Sequence, residues 1–357
     1  MKRGFASAMK EKPAAEMKES PAAEMKKSPA ADFGKLLLRM AVLLFAVSAL
    51  SFFLVSASPI DPLKSNVGQT ALGSMSEEQI AVLEKYWGVG VPAGRRFLNW
   101  LSGVCRGDFG VSLLYRRPVL EVIGEKAGNS LWLMAAAWLI SGLLGTAMGV
   151  LAGVKRGRWQ DKAVTFYCMV ISGTPAFWLG LVLLLAFAVA LPIFPIGFSV
   201  PVGMAAAEVT ISDRILHGIL PALTLGLTGV SGIAMHTRSK MIEVMESDYV
   251  CYARAMGESG WPLVARHGLR NILLPVITLQ FGSVSEIFGG AVLVEQVFSY
   301  PGLGQAAITA GLGSDVPLLL GITLISAAVV FLGNLTADLL VSAADPRLRQ
   351  RRGEEKT

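Results

Sequence analysis

Six apolar runs separated by polar links constrain this chain more than any other feature. They lie at about Leu36–Ala57, Ser130–Val154, Ala163–Leu191, Leu216–Met235, Ile272–Val294 and Val316–Ala344. A helix needs about 20 apolar residues to cross the hydrocarbon of a bilayer. A backbone in lipid must satisfy its own hydrogen bonds, which leaves helices and closed barrels. Barrel strands alternate in polarity, and these runs do not. The expectation is an all-α polytopic membrane protein with six transmembrane helices. Composition agrees, since only 16% of the residues are charged, against about 25% in ordinary soluble domains. The third and sixth runs are long enough to tilt. Pro175, Pro221 and Pro275 fall inside or at the start of runs, where each removes a backbone donor and can kink a helix.

Lysine and arginine orient the spans. Lys155, Arg156, Arg158 and Lys162 follow the second run. Arg238, Lys240, Arg254, Arg266 and Arg270 follow the fourth, and Arg347, Arg349, Arg351, Arg352 and Lys356 follow the sixth. The alternate links carry only Arg214 in Pro192–Ile215 and none in Glu295–Asp315. The positive-inside rule therefore places both termini in the cytoplasm. Basic residues flank spans, so the net charge of +6 is a topology signal and implies no nucleic acid. Cys105, Cys168 and Cys251 fall in three different environments and form neither a disulfide framework nor a metal-site spacing.

The chain divides into a tail (1–35), a first span (36–57), an external segment (58–128), a five-span core (129–344) and a basic tail (345–357). The first tail repeats KPAAEMKE, SPAAEMKK and SPAAD with almost no bulky apolar residues. Such a composition cannot bury enough surface to fold, and the late, long apolar run argues against a signal peptide. A lysine-rich contact with anionic lipid is the sharper alternative. The external segment holds an expected helix at Ser76–Trp87, with Ser76 as N-cap and Glu77 and Glu78 in its first turn. Its Tyr86, Trp87, Phe97, Trp100, Leu101 and Phe109 supply a small apolar core or an interfacial surface.

Residues 247–271 form a polar, glycine-broken loop between two apolar runs. Ser247 or Asp248 can cap a short helix in which Tyr249, Tyr252, Ala253 and Met256 fall at i, i+3, i+4 and i+7, one apolar face. Gly257 ends it, and Gly260 frees the turn. Trp261-Pro262 opens a second helix leading to the fifth run. Periodicity leaves two readings open: an interfacial helix that anchors the loop, or a lever across the cytoplasmic mouth.

ARAMG at Ala253–Gly257, followed by Leu274-Pro275, resembles the EAA loop of ABC-importer permeases. The wider chain is similar to the dipeptide/oligopeptide/nickel branch. FGVSLLYRRPV (Phe109–Val119), GTPAFWLGL (Gly173–Leu181), LPALTLGL (Leu220–Leu227), RHGLRNILLPVIT (Arg266–Thr278), GGAVLVEQVFSYPGLGQ (Gly289–Gln305) and NLTADLL…ADPRLR (Asn334–Arg349) match in order. The likeness covers about residues 36–350. Departures occur at Ile60 before Asp61-Pro62, at His236 where an arginine is usual, and at Asn129-Ser130 where a threonine is usual.

The resemblance implies a permease subunit of an ATP-driven importer. Its partners would be a second, homologous permease, two ATPase subunits that carry ATP and Mg, and an external solute-binding protein. Tyr249, Tyr252, Ala253, Arg254, Ala255, Met256 and Gly257 would be the ATPase-coupling residues. The chain has no phosphate-cradling GxxxxGK[ST] loop, and no constellation of catalytic residues. No enzyme activity, cofactor or metal site is expected in this chain. Cargo would be a peptide or a nickel or other metal chelate, and the membrane a bacterial or archaeal plasma membrane. Glu286, near the middle of the fifth run, lines the substrate path or hydrogen-bonds across a subunit interface. Asn334 and Asp338, one turn apart, form a structural polar pair. The rival class is a self-contained ion-coupled secondary transporter or channel, for which no convincing internal repeat is present.

Overall fold

The computed structural model describes residues 29–57, 66–67, 69–87, 90–201, 203 and 208–344. The repeat tail through residue 28, the departure at Ile60–Pro62 and the basic tail after 344 lie outside them. Among the described residues the chain is helical, and its β pairing is one isolated Val111–Pro118 bridge. Two compact units divide within the first helix, α1 (Pro29–Ser56), at residues 43 and 44. In the second unit a short α2 (Gln69–Leu72) precedes α3 (Glu77–Trp87) and α4 (Ala93–Val104). The expected cap on α3 is present and reciprocal. Gln79 N–H donates to Ser76 Oγ (3.3 Å), and Ser76 N–H donates to Gln79 Oε1 (3.0 Å).

The core is organised around α5 (Val119–Val154) and α8 (Ile211–Met245). Both are longer than the apolar runs that predict them. At 36 residues, α5 measures about 54 Å and outreaches a hydrocarbon layer of about 30 Å. Its first turns carry Glu121, Glu125 and Lys126, yet Val119, Val122 and Ile123 keep a buried stripe packed on Leu303, Leu318 and Ile322. Glycines bring α5 and α8 together. A Cβ on Gly145 would meet Ile233, one on Gly149 Thr237, and one on Gly153 Met241. Gly218 and Gly226 of α8 lie likewise against Trp132 and Ile140 of α5. Residue numbers rise together along both helices, so they run parallel. Close approach through small residues is how helices associate where lipid removes the hydrophobic drive.

Parallel neighbours require the intervening chain to cross back. It does so through α6 (Trp159–Ser172) and α7 (Ala176–Leu184), the latter extended by a π-helical segment Leu185–Ala190. The two helices are bent by 104° at Gly173–Pro175, which admits either a broken span or a re-entrant loop. The contacts decide for the span. Asp161 meets Arg238, Tyr167 Oη donates to Leu227 O, Gly180 faces Thr224, and His217 Nδ1 bonds Gly197 O. Each step moves steadily along α8 to its other end.

The next crossing repeats the pattern. It comprises a short α10 (Gly260–Leu263), a π-helical segment Val264–Leu269, α11 (Arg270–Gly282) and α12 (Val284–Val297), bent by 43° near Ser283. Gly268 lies against Met241, Gly290 against Leu225, and Gly218 near Tyr300. A short α13 (Leu303–Leu312) turns the chain into α14 (Val316–Ala344), whose bounds match the sixth run. Of the three prolines expected to kink spans, only Pro175 stands at a break. Pro221 and Pro275 lie inside continuous helices, while the second break falls at Ser283. Among the described residues four helices are long and apolar enough to span alone, and each of the two bent pairs adds one if it is counted as a single span.

Candidate functional site

The end of the bundle reached by Val154, Met245 and Gly260 gathers Lys155, Arg156, Arg158, Arg238 and Arg254. Here the chain leaves α8, makes the eight-residue helix α9 (Asp248–Ala255) and turns into α10. Ser247 is the N-cap by backbone position, but its side chain does not cap. Its Oγ donates back to Val244 O at 2.5 Å.

The expected four-residue apolar face is divided. Val250 (0% exposed) and Ala253 (7%) point inward, among Val150, Met241, Met245, Leu263, Val264, Ile272 and Val276. Tyr249, Tyr252 and Met256 are 46, 67 and 69% exposed. Arg254, Ala255 and Gly257 are exposed with them. An eight-residue helix has one inward strip, and the pair at i and i+3 that contacts α8 and α10 claims it. Tyr249 is held at the flank, where Asn271 Nδ2 donates to its Oη at 3.1 Å and its ring tilts against His267.

Gly257 (φ +94°) and Gly260 (φ +68°) both adopt the left-handed conformation that reverses the chain. Between them Glu258 accepts from Arg266 Nη1 at 2.8 Å and lies 3.1 Å from His267 Nε2. Partial burial opposes ionisation of Glu258, but the His267 and Arg266 contacts outweigh it and hold its carboxyl below the usual value. The turn is thus tied to the start of the following span. A cavity of about 380 Å³ opens beside it, lined by Val154, Met245, Arg254, Glu258, Trp261 and Leu263 among others. Trp261 is 65% exposed at its rim. The arrangement is a firm platform that presents Tyr252, Met256 and Trp261 outward.

The same end carries a feature that the sequence reading missed. Asp161, 4% exposed on α6, accepts from Arg238 Nε (2.5 Å) and Nη2 (2.9 Å) and from the Gly157 N–H (2.9 Å). Arg156 of the same elbow pairs with Glu246 at the junction of α8 and α9.

Glu286 lies elsewhere. It is exposed in the first turn of α12, directly after the break, roughly level with the middle of α8. Its neighbour Ser285 donates to Asn334 Oδ1 at 2.8 Å. Asn334 therefore bonds across to α12, bringing two features that the sequence reading kept apart side by side. The side chain of Asp338 lies outside the described residues.

Two further buried carboxylates had weak signals. Glu295 (1% exposed) accepts from Ser130 Oγ (2.5 Å), Gly304 N–H (2.8 Å) and Gln305 N–H (3.1 Å). Asp315 (0%) accepts from Ser112 Oγ (2.5 Å), Leu114 N–H (3.0 Å) and Leu318 N–H (3.2 Å). Glu295 sits inside the GGAVLVEQVFSYPGLGQ match, and Asp315 before Val-Pro at a helix start. Either pattern marks a position and neither names the partner.

Comparison with known proteins agrees with this architecture. Residues 145–350 match the family described as binding-protein-dependent transport system inner membrane component. The chain is 36% identical over 307 residues to the oligopeptide transport system permease protein AppB of Bacillus subtilis (strain 168), covering 86% of this chain and 95% of AppB. It is 35% identical over 315 residues to the glutathione transport system permease protein GsiC of Salmonella typhi, and 34% identical to GsiC of Escherichia coli (strain K12). Each match covers 88% of this chain and 97% of the relative. With multiple apolar crossings, a basic end and a matched core, this chain belongs to the family of inner membrane components of binding-protein-dependent transport systems, as a multi-pass permease of an ABC importer.

Proposed function

We propose that this permease forms half of a translocation pathway for peptide-class solutes and is driven through α9 by a separate ATPase subunit. The observation that carries the reading is the split face of α9. Val250 and Ala253 anchor it while Tyr252, Met256 and nearby Trp261 stand exposed at the basic end. Exposed aromatic and methionine side chains on a rigid mount suit a partner's groove. By the positive-inside rule this end and both termini face the cytoplasm, where ATP and Mg would be held by two ATPase subunits. A homologous second permease would complete the pathway, and an external binding protein would deliver cargo to the segment between α1 and α5. The oligopeptide and glutathione named for the relatives favour a peptide-class solute over a nickel chelate.

ATP binding would bring the ATPases together and shift the bundle between inward- and outward-open states, an equilibrium biased by differential nucleotide affinity. Glu286 faces this pathway or the second permease, because an ionisable side chain at mid-depth is costly against lipid. Ala253→Glu with Ala255→Glu, or Gly257→Pro, should abolish co-purification of the ATPase while the permease remains inserted. Retention of the ATPase by either variant would refute the docking role. Uptake that survives ATP depletion and collapses with an ion gradient would instead favour a secondary transporter.

A further inference from the structure

We propose that Asp161 is a positioning residue that locks α6 to the coupling loop, so that a push on α9 moves α6 together with the α10–α11 crossing. The inference rests on the importer reading above and adds a second line of transmission to it. Along the chain the loop joins α8 before it and α11 after it, the latter through the Glu258–Arg266 contact and the glycine turn. The elbow between α5 and α6 has no chain connection to α9, yet it grips the same end of α8 at two points. Arg156 holds Glu246, at the junction of α8 and α9. Asp161 holds Arg238 by two hydrogen bonds, in the fork geometry that fixes orientation as well as distance. Its remaining capacity is taken by the Gly157 N–H, and Thr165 Oγ1 lies 3.5 Å away. Gly157 adopts φ +78°, so the elbow closes tightly onto the carboxylate.

Between the two grips Met241 fills the gap between Gly153 and Gly268, tying α5, α8 and the π-helical segment into one block. A motion carried by this block must be absorbed where the helix path yields. On α6 that place is the 104° break at Gly173–Pro175, where Pro175 leaves the ladder interrupted. An ion pair serving only to hold α6 against α8 would need neither the second grip at Glu246 nor a hinge beyond it. Coupling of this kind requires an element with two arrangements that both sites bias. The broken α6–α7 span is that element.

Two measurements on the complete transporter in proteoliposomes test the proposal, with radiolabelled glutathione and trialanine as probes. Asp161→Asn should retain the ATPase and hydrolyse ATP within about twofold of the unsubstituted complex, while probe moved per ATP falls about fivefold or more. The exchange Asp161→Arg with Arg238→Asp should recover part of that yield. Unchanged yield per ATP in Asp161→Asn would overturn the proposal while leaving the importer reading intact. Absence of ATP-driven transport by the unsubstituted complex would refute both.

The second measurement leaves the ion pair untouched, so it does not depend on the variants folding. Spin labels are placed at exposed Cys251 and at Trp159→Cys, with Cys105→Ser, and in a second sample at Cys251 and Ile196→Cys. Addition of ATP should leave the first separation constant and change the second. A change in the Cys251–159 separation as large as that in the Cys251–196 separation would show α6 slipping past the loop, and the proposal would fall.

Discussion

Two glutamates on α12, nine positions apart, show how differently one helix treats the same side chain. Glu295 is enclosed and each of its oxygens is met by donors from α5 and the start of α13. A Cβ on Gly302 would strike its carboxylate, so the turn is shaped around it. Ser130 extends the network by accepting from Leu303 N–H at 2.7 Å while donating to Glu295. Removing such an acceptor strands several buried donors, at about 1–3 kcal/mol for each one left unsatisfied. Glu286, by contrast, is exposed at mid-depth. The two should separate on substitution. Glu295→Ala should lower the unfolding midpoint in detergent markedly, whereas Glu286→Gln should leave it in place and reduce uptake several-fold. Unchanged uptake kinetics for Glu286→Gln would remove it from the pathway. Both glutamates are visible in the sequence, but the apolar run drew attention to Glu286 and hid Glu295. Enclosure of Glu295 needs Ser130, 165 positions away in the chain, as well as the nearby Gly304 and Gln305.

At the scale of elements, the parallel contact of α5 with α8 carries most of the architecture. A Cβ on Gly149 would come within 2.5 Å of Thr237 Cβ and 2.6 Å of Ala234 O. Backbone on one side and a β-branched residue on the other leave no room to yield. Gly149→Ala should therefore cost about 1–3 kcal/mol, as overpacking does. Gly232→Ala in α8, where nothing lies within 4 Å, should be neutral or stabilising by a few tenths of a kcal/mol up to about 1. The pair is checked by urea or thermal unfolding in matched detergent, and equal effects would contradict close glycine packing. Helix existence was legible in this region because apolar length is local. Of the two breaks, the one at Pro175 was legible and the one near Ser283 was not. Pro221 lies inside a continuous helix, although it cannot donate to His217 O one turn back. Neighbouring helices and local backbone adjustment accommodate such a lost bond in a membrane helix, so proline alone does not locate a kink.

For the whole molecule, the sharpest question is which end faces which compartment. Two exposed cysteines lie at opposite ends of the bundle and act as native reporters. Cys105 follows α4, close in sequence to the turn that meets Asp315, and Cys251 lies on α9. A membrane-impermeant thiol reagent should label Cys105 in intact spheroplasts and reach Cys251 only after permeabilisation. Cys168, buried between α6 and α8, should stay unlabelled until the protein unfolds. Labelling of Cys251 from outside would invert the topology and place α9 beyond reach of any cytoplasmic ATPase, against the proposed docking role.

What the amino-acid order determined by itself was a set of properties that depend on neighbours a few residues apart. These include the apolar lengths that demand helices, the gathering of lysine and arginine at alternate links, the Ser76 cap, and the glycines that follow α9. Tertiary structure alone decided which face of that helix turned inward, which of the three prolines marks a break, that the second break falls near Ser283, and which acids disappear from solvent. Each of those outcomes depends on side chains brought from distant segments. Arg238 meets Asp161 across 77 positions, and Asp315 meets Ser112 across 203. Local periodicity carries no trace of such a partner, because the energy that selects it exists only after the helices have packed.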